Sequence, residues 1–299
     1  MCGGYKWIMR CDMHVHTIHS GMCTLPVLSR VCRESYTEPD ALYARLKRAG
    51  MDLVTVTDHD SIDAAEPLRS HNDFFLSEEV TCRMPSGTEI HLGVYDITDR
   101  HHVEIQRRRA DIESLAAYLD EQGLFFTINH LFSCLTGRRH ASDFDRFEAL
   151  FPGFETLNGH MLRSMNRRSA ELAELLAKAP VAGSDAHTLS SAGLAWTSVP
   201  GARTKAEFLE AVRRGRAQAA GASGTYWKLT TDVFRICASM AWENPATLLL
   251  APLAVLVPAA IAVNYTLEAV FLWRWTRRLG WTRPRGFGGE PGVSSAVAP

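Results

Sequence analysis

Residues 11 to 21 read CDMHVHTIHSG, with His14, His16 and His19 inside six positions and Asp12 just before them. In extended chain a His-x-His pair turns both imidazoles to one face, because side chains alternate with period two. Two imidazoles one pleat apart can chelate a single ion. Further groups of the same chemistry recur downstream. TVTDHDS puts His59 directly after a β-branched run, and LSEEVT puts Glu78 and Glu79 in a strand pattern where one must face inward. A buried carboxylate needs a cation. EIHLGVYDI and FFTINHLF embed His91 and His130 in apolar strands, and VAGSDAHT ends a strand with Asp185 and His187. Taken singly, a strand histidine is more often a hydrogen-bonded core residue than a ligand. Six of the twelve histidines sit on such strands or at their ends, and chance is a poor account of that set. Imidazole with carboxylate and no thiolate suits Zn, Mn or Fe. More donors than one ion can use imply a cluster of ions.

The elements needed to bring these groups together are those of an α/β fold. Short apolar runs alternate with helical patterns from residue 1 to about 228. MDLVTVTD (51–58), LFFTINH (124–130), FETLN (154–158) and PVAGSD (180–185) read as strands, and His14 and His16 fit a strand over 12–16. Thr37 is placed to cap a helix that carries Pro39 in its first turn and stops at Gly50. Helices are also expected over 102–123, 165–179 and 204–215.

The ordered set HVH, TDH, EEV, IHLG, NH and GSDAH resembles the polymerase-and-histidinol-phosphatase (PHP) family, over residues 11 to about 221. The resemblance implies a distorted TIM-like (β/α)7 barrel with metals at the C-terminal ends of the strands, and phosphoester hydrolysis by a metal-bridged hydroxide. Two or three divalent ions (Zn, Mn or Fe) are implied. His14, His16, Glu79 and Asp185 would hold the first, Glu79 would bridge to a second held by His91 and His130, and His59 and His187 would hold a third. Family members place another ligand for that third ion, an Asp or His, five or six residues after the second His. Here those positions are Gly21 and Met22, which leaves His19 as the substitute. Glu79 and Asp185 would be catalytic through the metals. For the substrate phosphate, NGHMLRSMNRR offers His160 as a donor and Arg163, Arg167 and Arg168 as clamps, and TGRRHASD offers Arg138 and Arg139. Asp58 is placed to orient an imidazole or to close its strand.

The expected substrate is a small phosphorylated metabolite such as a nucleotide. Hydrolysis of a carbon–nitrogen or carboxyl-ester bond on the same metals is the alternative, and a membrane-tethered binding module without activity is another. A net charge of -1 and the absence of a basic stripe argue against a stable nucleic-acid partner. Seven cysteines without CxxC spacing read as reduced thiols, and the first residues lack a signal-peptide pattern, so a cytoplasmic setting is expected.

Composition changes near residue 229, which suggests three regions: 1–228 as the metallohydrolase domain, 229–285 as an apolar helical segment and 286–299 as a disordered tail. From Pro245 to Leu267, 23 residues pass without a charge, followed by tryptophans among five arginines, the pattern of an interfacial anchor. Membrane contact through 245–275 at the inner face of the cytoplasmic membrane is the expectation. Pro252 and Pro258 suggest a break into a re-entrant hairpin, and removal of everything after Trp227 is expected to leave the domain intact.

Overall fold

A computed structural model describes residues 7–24, 28–137 and 139–278. Arg138 and the proposed tail 286–299 lie outside the described residues. The elements are β1 (Ile8–Cys11), α1 (Pro39–Arg48), α2 (Ala65–Leu68), β2 (Ser77–Arg83), β3 (Glu89–Tyr95), α3 (Asp99–Arg108), α4 (Ile112–Glu121), β4 (Phe125–Ile128) and α5 (Ala141–Leu150). They continue with β5 (Gly153–Asn158), α6 (Arg163–Leu175), β6 (Ala179–Gly183), β7 (Ala195–Pro200), α7 (Lys205–Arg213), β8 (Gln218–Gly221), α8 (Tyr226–Glu243), a 3-10 stretch (Pro245–Leu256) and α9 (Val257–Arg278).

The strands form one mixed sheet in the order β1-β7-β6-β5-β4-β3-β2, with β8 added against β7. Only β4, β5 and β6 run parallel to one another, and the remaining pairs are antiparallel. The ladder does not close. In place of the strand expected over 51–58, residues 52–60 lie between the two free edges and make only isolated bridges, Val54 to Phe74 and His59 to Glu79. Hydrogen bonds tie this segment to both sides: Leu53 N and Thr57 N donate to Arg10 O and Val15 O, and Phe75 N and Glu79 N donate to Val54 O and Asp58 O. The sequence pattern of β-branched residues is met by burial of Val54 and Val56, not by a full ladder.

The 102–123 helix divides in two. Asp111 accepts from Glu113 N and Ser114 N and so caps α4, and α3 ends three residues earlier at Arg108. Glu38, not Thr37, is the residue before α1, and it makes no capping bond. Apolar side chains of the helices pack on the sheet in a core that includes Leu42, Leu46, Val80, Leu92, Phe126 and Phe154.

The C-terminal segment is not broken into a hairpin at Pro252 or Pro258. Pro245–Arg278 runs as one 34-residue helix, and among the described residues it alone is long and apolar enough to cross a membrane by length and composition. Pro252 falls within the 3-10 stretch, and Pro258 is the second residue of α9. Much of this run faces outward, with Leu249 86% and Val255 77% exposed. Its far end turns back into the protein. Trp275 is buried against Phe144, ring centroids 4.9 Å apart, and buried Glu268 accepts from Ser133 Oγ (2.8 Å) and Cys134 N (2.9 Å).

Candidate metal centre

His14 and His16 lie just past β1, on an extended segment bridged at Val15 to Ala186, so they keep the alternation expected of a strand without being in one. Asp185 N donates to His14 O (2.7 Å) and His16 N donates to Ala186 O (3.1 Å), which sets Asp185 beside both imidazoles. The approach requires Gly183, since a Cβ there would collide with the His14 backbone. Asp185 and His130 both have positive φ, 52° and 30°, an uncommon conformation for side-chain-bearing residues and one that collects at functional sites.

Glu79 occupies the centre. Its carboxylate oxygens lie 3.1 Å from His14 Nε2, 3.4 Å from His16 Nε2, 3.4 Å from His59 Nδ1, 3.6 Å from His91 Nδ1 and 3.3 Å from His130 Nε2. These five imidazoles form a ring around it, neighbouring centroids 4.7 to 5.9 Å apart. Asp185 Oδ1 lies 3.5 Å from His14 Nε2, 3.3 Å from His16 Nε2 and 3.8 Å from His187 Nδ1. Glu78, next along β2, points the other way and meets His102 Nδ1 at 2.9 Å.

The environment divides the protons unevenly. Burial pushes His16 down to about 4 and His91 down to about 3. Burial would also depress His14, but Glu79, Asp185 and Glu155 overturn this and hold it well above its ordinary value. Burial likewise opposes the charged form of Glu79, yet His14, His59 and His91 keep it well below the usual carboxylate range. Asp185 is kept low against its own burial by His14, His16 and His187.

Hydrogen bonds at the outer nitrogens fix the tautomers. Ser20 Oγ donates to Asp58 Oδ1 (2.7 Å), so His16 Nδ1, 2.9 Å away, must donate to Ser20. That leaves a lone pair on His16 Nε2 facing two carboxylates. His187 Nδ1 donates to Asp185 O (2.9 Å), and its Nε2 faces Glu34 Oε1 at 3.4 Å. The Nδ1 atoms of His59, His91 and His130 are buried with no hydrogen bond. Lone pairs and carboxylates converging at these distances repel one another unless cations lie between them. Five overlapping triads of donor atoms, each within 4.8 Å, include His14–His16–Asp185, His59–Glu79–His91 and His16–His59–His187. The donors present fit divalent metals.

Glu34 escapes the spacing argument. It lies between His59 Nε2 (3.5 Å) and His187 Nε2 (3.4 Å), where the missing ligand of the third group was expected. The chain doubles back by the bridge of Met22 to Arg33, and Glu34 N donates to Gly21 O (3.0 Å). Glu34 thus stands beside Gly21 although it is far along the chain. Met22 is exposed, and His19 joins none of the donor groups.

The second carboxylate missed in the sequence is Glu155, which meets His14 Nδ1 at 2.8 Å and accepts from His130 N at 2.7 Å. A lone acidic residue in the strand FETLN carried the same signal as Glu79. Asp58 acts one step removed, through Ser20 and Thr17. His160 does reach the cluster, grouped with Asp185 and His187 and stacked on His187 at 5.7 Å.

The arginines do not. Arg163 is exposed at the start of α6 and, among the described residues, makes no ion pair with the cluster, while Arg167 and Arg168 face Glu171 along the helix. Arg139 is buried and donates to Glu89 O and Thr136 Oγ1. Helical geometry turns these side chains along α6 or into the protein, away from the site.

The family described as PHP-associated (PHP_C) matches residues 163–217, from α6 to the turn before β8. That match spans 55 of the 299 residues. No curated protein matches the sequence. Among solved structures, PsfC from Pseudomonas syringae is similar to this chain with a TM-score of 0.52 and 17% identity, covering 80% of this chain and 98% of that one. The lesion-specific endonuclease PfuEndoQ from Pyrococcus furiosus gives 0.49 and 16%, covering 72% of this chain and 58% of that one. An amidohydrolase from Chromobacterium violaceum gives 0.46 and 16%, covering 68% and 96%. The likeness to PsfC concerns the fold.

Proposed function

We propose that this chain is a PHP-family, metal-dependent hydrolase of phosphoesters, held at a membrane surface by its C-terminal helices. The observation that carries the reading is Glu79, buried within 3.6 Å of five imidazole nitrogens, with lone pairs directed at carboxylates. In this reading residues 52–60 serve as the missing stave of the family's distorted barrel, and the cluster lies at its mouth.

His14, His16, Glu79 and Asp185 would hold one ion, Glu79 with His91 and His130 a second, and His59, His187 and Glu34 a third. Bound Zn, Mn or Fe would lower the pKa of a water from 15.7 to about 7 and neutralise charge on phosphoryl oxygens. The chain's own residues supply the rest. Glu155 holds the His14 ring by its Nδ1, and Asp58 through Ser20 holds His16. His160, fixed beside Asp185 and His187, is placed to donate a proton to the leaving oxygen.

The apolar stretch supports in-plane contact with lipid, not a crossing. The Tyr226 hydroxyl donates to Pro258 O (3.1 Å), and Glu268 and Trp275 are buried in the body, contacts that a spanning helix would lose. Arg274, Arg277 and Arg278 at its end suit an anionic surface.

Metal content of protein purified without chelators, measured with phosphate release from 4-nitrophenyl phosphate, tests the enzyme. Two or more ions per chain and turnover abolished by EDTA are expected, and metal-free protein that cannot be loaded would refute the reading. Flotation with phosphatidylglycerol vesicles tests the surface contact, which fails if the protein stays at the bottom of the gradient.

A further inference from the structure

Helix α8 follows the region matched to the family, yet it walls the site. Asp232, 2% exposed, accepts from Thr188 Oγ1 (2.8 Å), Ser190 Oγ (3.2 Å) and Ser191 Oγ, and lies 3.4 Å from His160 Nε2. All four partners come from the loops that bear His160 and His187, so α8 is pinned to the rim of the cluster. Three residues on, Arg235 lies with NH1 2.5 Å from Ser190 Oγ and 3.5 Å from Asp232, its side chain half exposed. Beyond it a groove of about 480 Å³ opens between α8 and the 187–190 loop. His187, Thr188 and Ser190 form its polar end, and Leu189, Ile236 and Ala238 line its apolar length.

We propose that this groove binds the organic part of the substrate, and that the substrate is a phosphoester bearing an apolar chain (alkyl, acyl or prenyl). Its headgroup lies at the cluster, an assignment that rests on the phosphoesterase reading above. Three features argue for this occupant. The groove starts at His187, a candidate ligand, so its polar end adjoins the cluster. Arg235 at the polar end offers an exposed guanidinium to a phosphoryl oxygen, the role that Arg163 cannot fill from α6. The helix forming the apolar wall also packs on the exposed apolar run, and Trp242 near its end is 90% exposed, so the groove and the surface proposed to meet lipid share one helix. Each methylene fully removed from water strengthens binding roughly fourfold.

Hexyl phosphate and ethyl phosphate share a headgroup and differ only in chain length. Calorimetric titration of the full chain, with and without manganese, is expected to give at least tenfold tighter binding of hexyl phosphate. Ala238→Glu, on an exposed helical face, is expected to bring that ratio to near one without lowering the melting temperature, and Arg235→Gln to weaken both esters alike. A ratio near one in the unmodified protein, binding of neither ester, or a ratio unaffected by Ala238→Glu overturns the assignment. Phosphate release with manganese separates the two readings. If the binding ratio holds but neither ester is hydrolysed, the groove stands and the phosphoesterase reading falls.

Discussion

The cluster around Glu79 and the C-terminal helices arrange polarity in opposite senses. At the cluster, five imidazoles and several carboxylates turn inward. Along the 245–267 run, leucines and valines turn outward. Each region is energetically incomplete as protein alone. Inward lone pairs facing carboxylates call for cations, and outward apolar surface on this scale calls for an apolar medium. The two are joined at few points, among them Asp232 on α8 and Glu268 with Trp275 on α9. The contrast teaches that an unsatisfied feature identifies the kind of partner even where the partner's identity is open.

The strongest way to break this contrast is at its polar side. Asp185→Ala or His91→Ala is expected to abolish turnover and to lower metal content, with the far-ultraviolet circular dichroism unchanged; full activity in either variant would remove the cluster's role. Next in size, truncation after Trp227 deletes Asp232, Glu268 and Trp275 together, so thermal midpoint and turnover should fall together. A fragment as active and stable as the full chain would restore the expectation of an independent 1–228 domain. Trp275→Ala isolates one of those joints and is expected to cost about 3–5 kcal/mol in denaturant unfolding, as for other buried tryptophans. Glu155→Gln leaves every candidate ligand in place but loosens His14, and a loss of about 10–100-fold in activity or metal affinity is expected. Arg163→Ala should leave kcat/KM unchanged, because that side chain is in solvent. A large loss there would bring α6 back into the site.

The legible parts of the molecule were those where residue type alone restricts chemistry. His14, His16, His59, His91, His130, Asp185 and His187 stood out as polar groups in apolar surroundings, and they do converge with Glu79. Strand direction was legible only in part: the five residues Met84–Thr88, with Pro85 and Gly87, carry a hairpin signal between β2 and β3 that a reading in alternating strands and helices passes over. Arg163 misled because a cationic helix start has the same composition whether it faces solvent or phosphate. Asp232 gave no signal, since its buried state comes from hydroxyls of a loop far away in sequence. The apolar run gave half of one: its length was plain, but the docking of Glu268 and Trp275 depended on partners that hydropathy does not see.

The hairpin that brings Glu34 alongside Gly21 has a consequence for any census of such proteins. Donor groups answer to positions in space, and a doubled-back loop lets either of its arms serve the same spot. Searches that count residues from the first histidines would mark this chain as lacking a third binding position, although a carboxylate stands between His59 and His187.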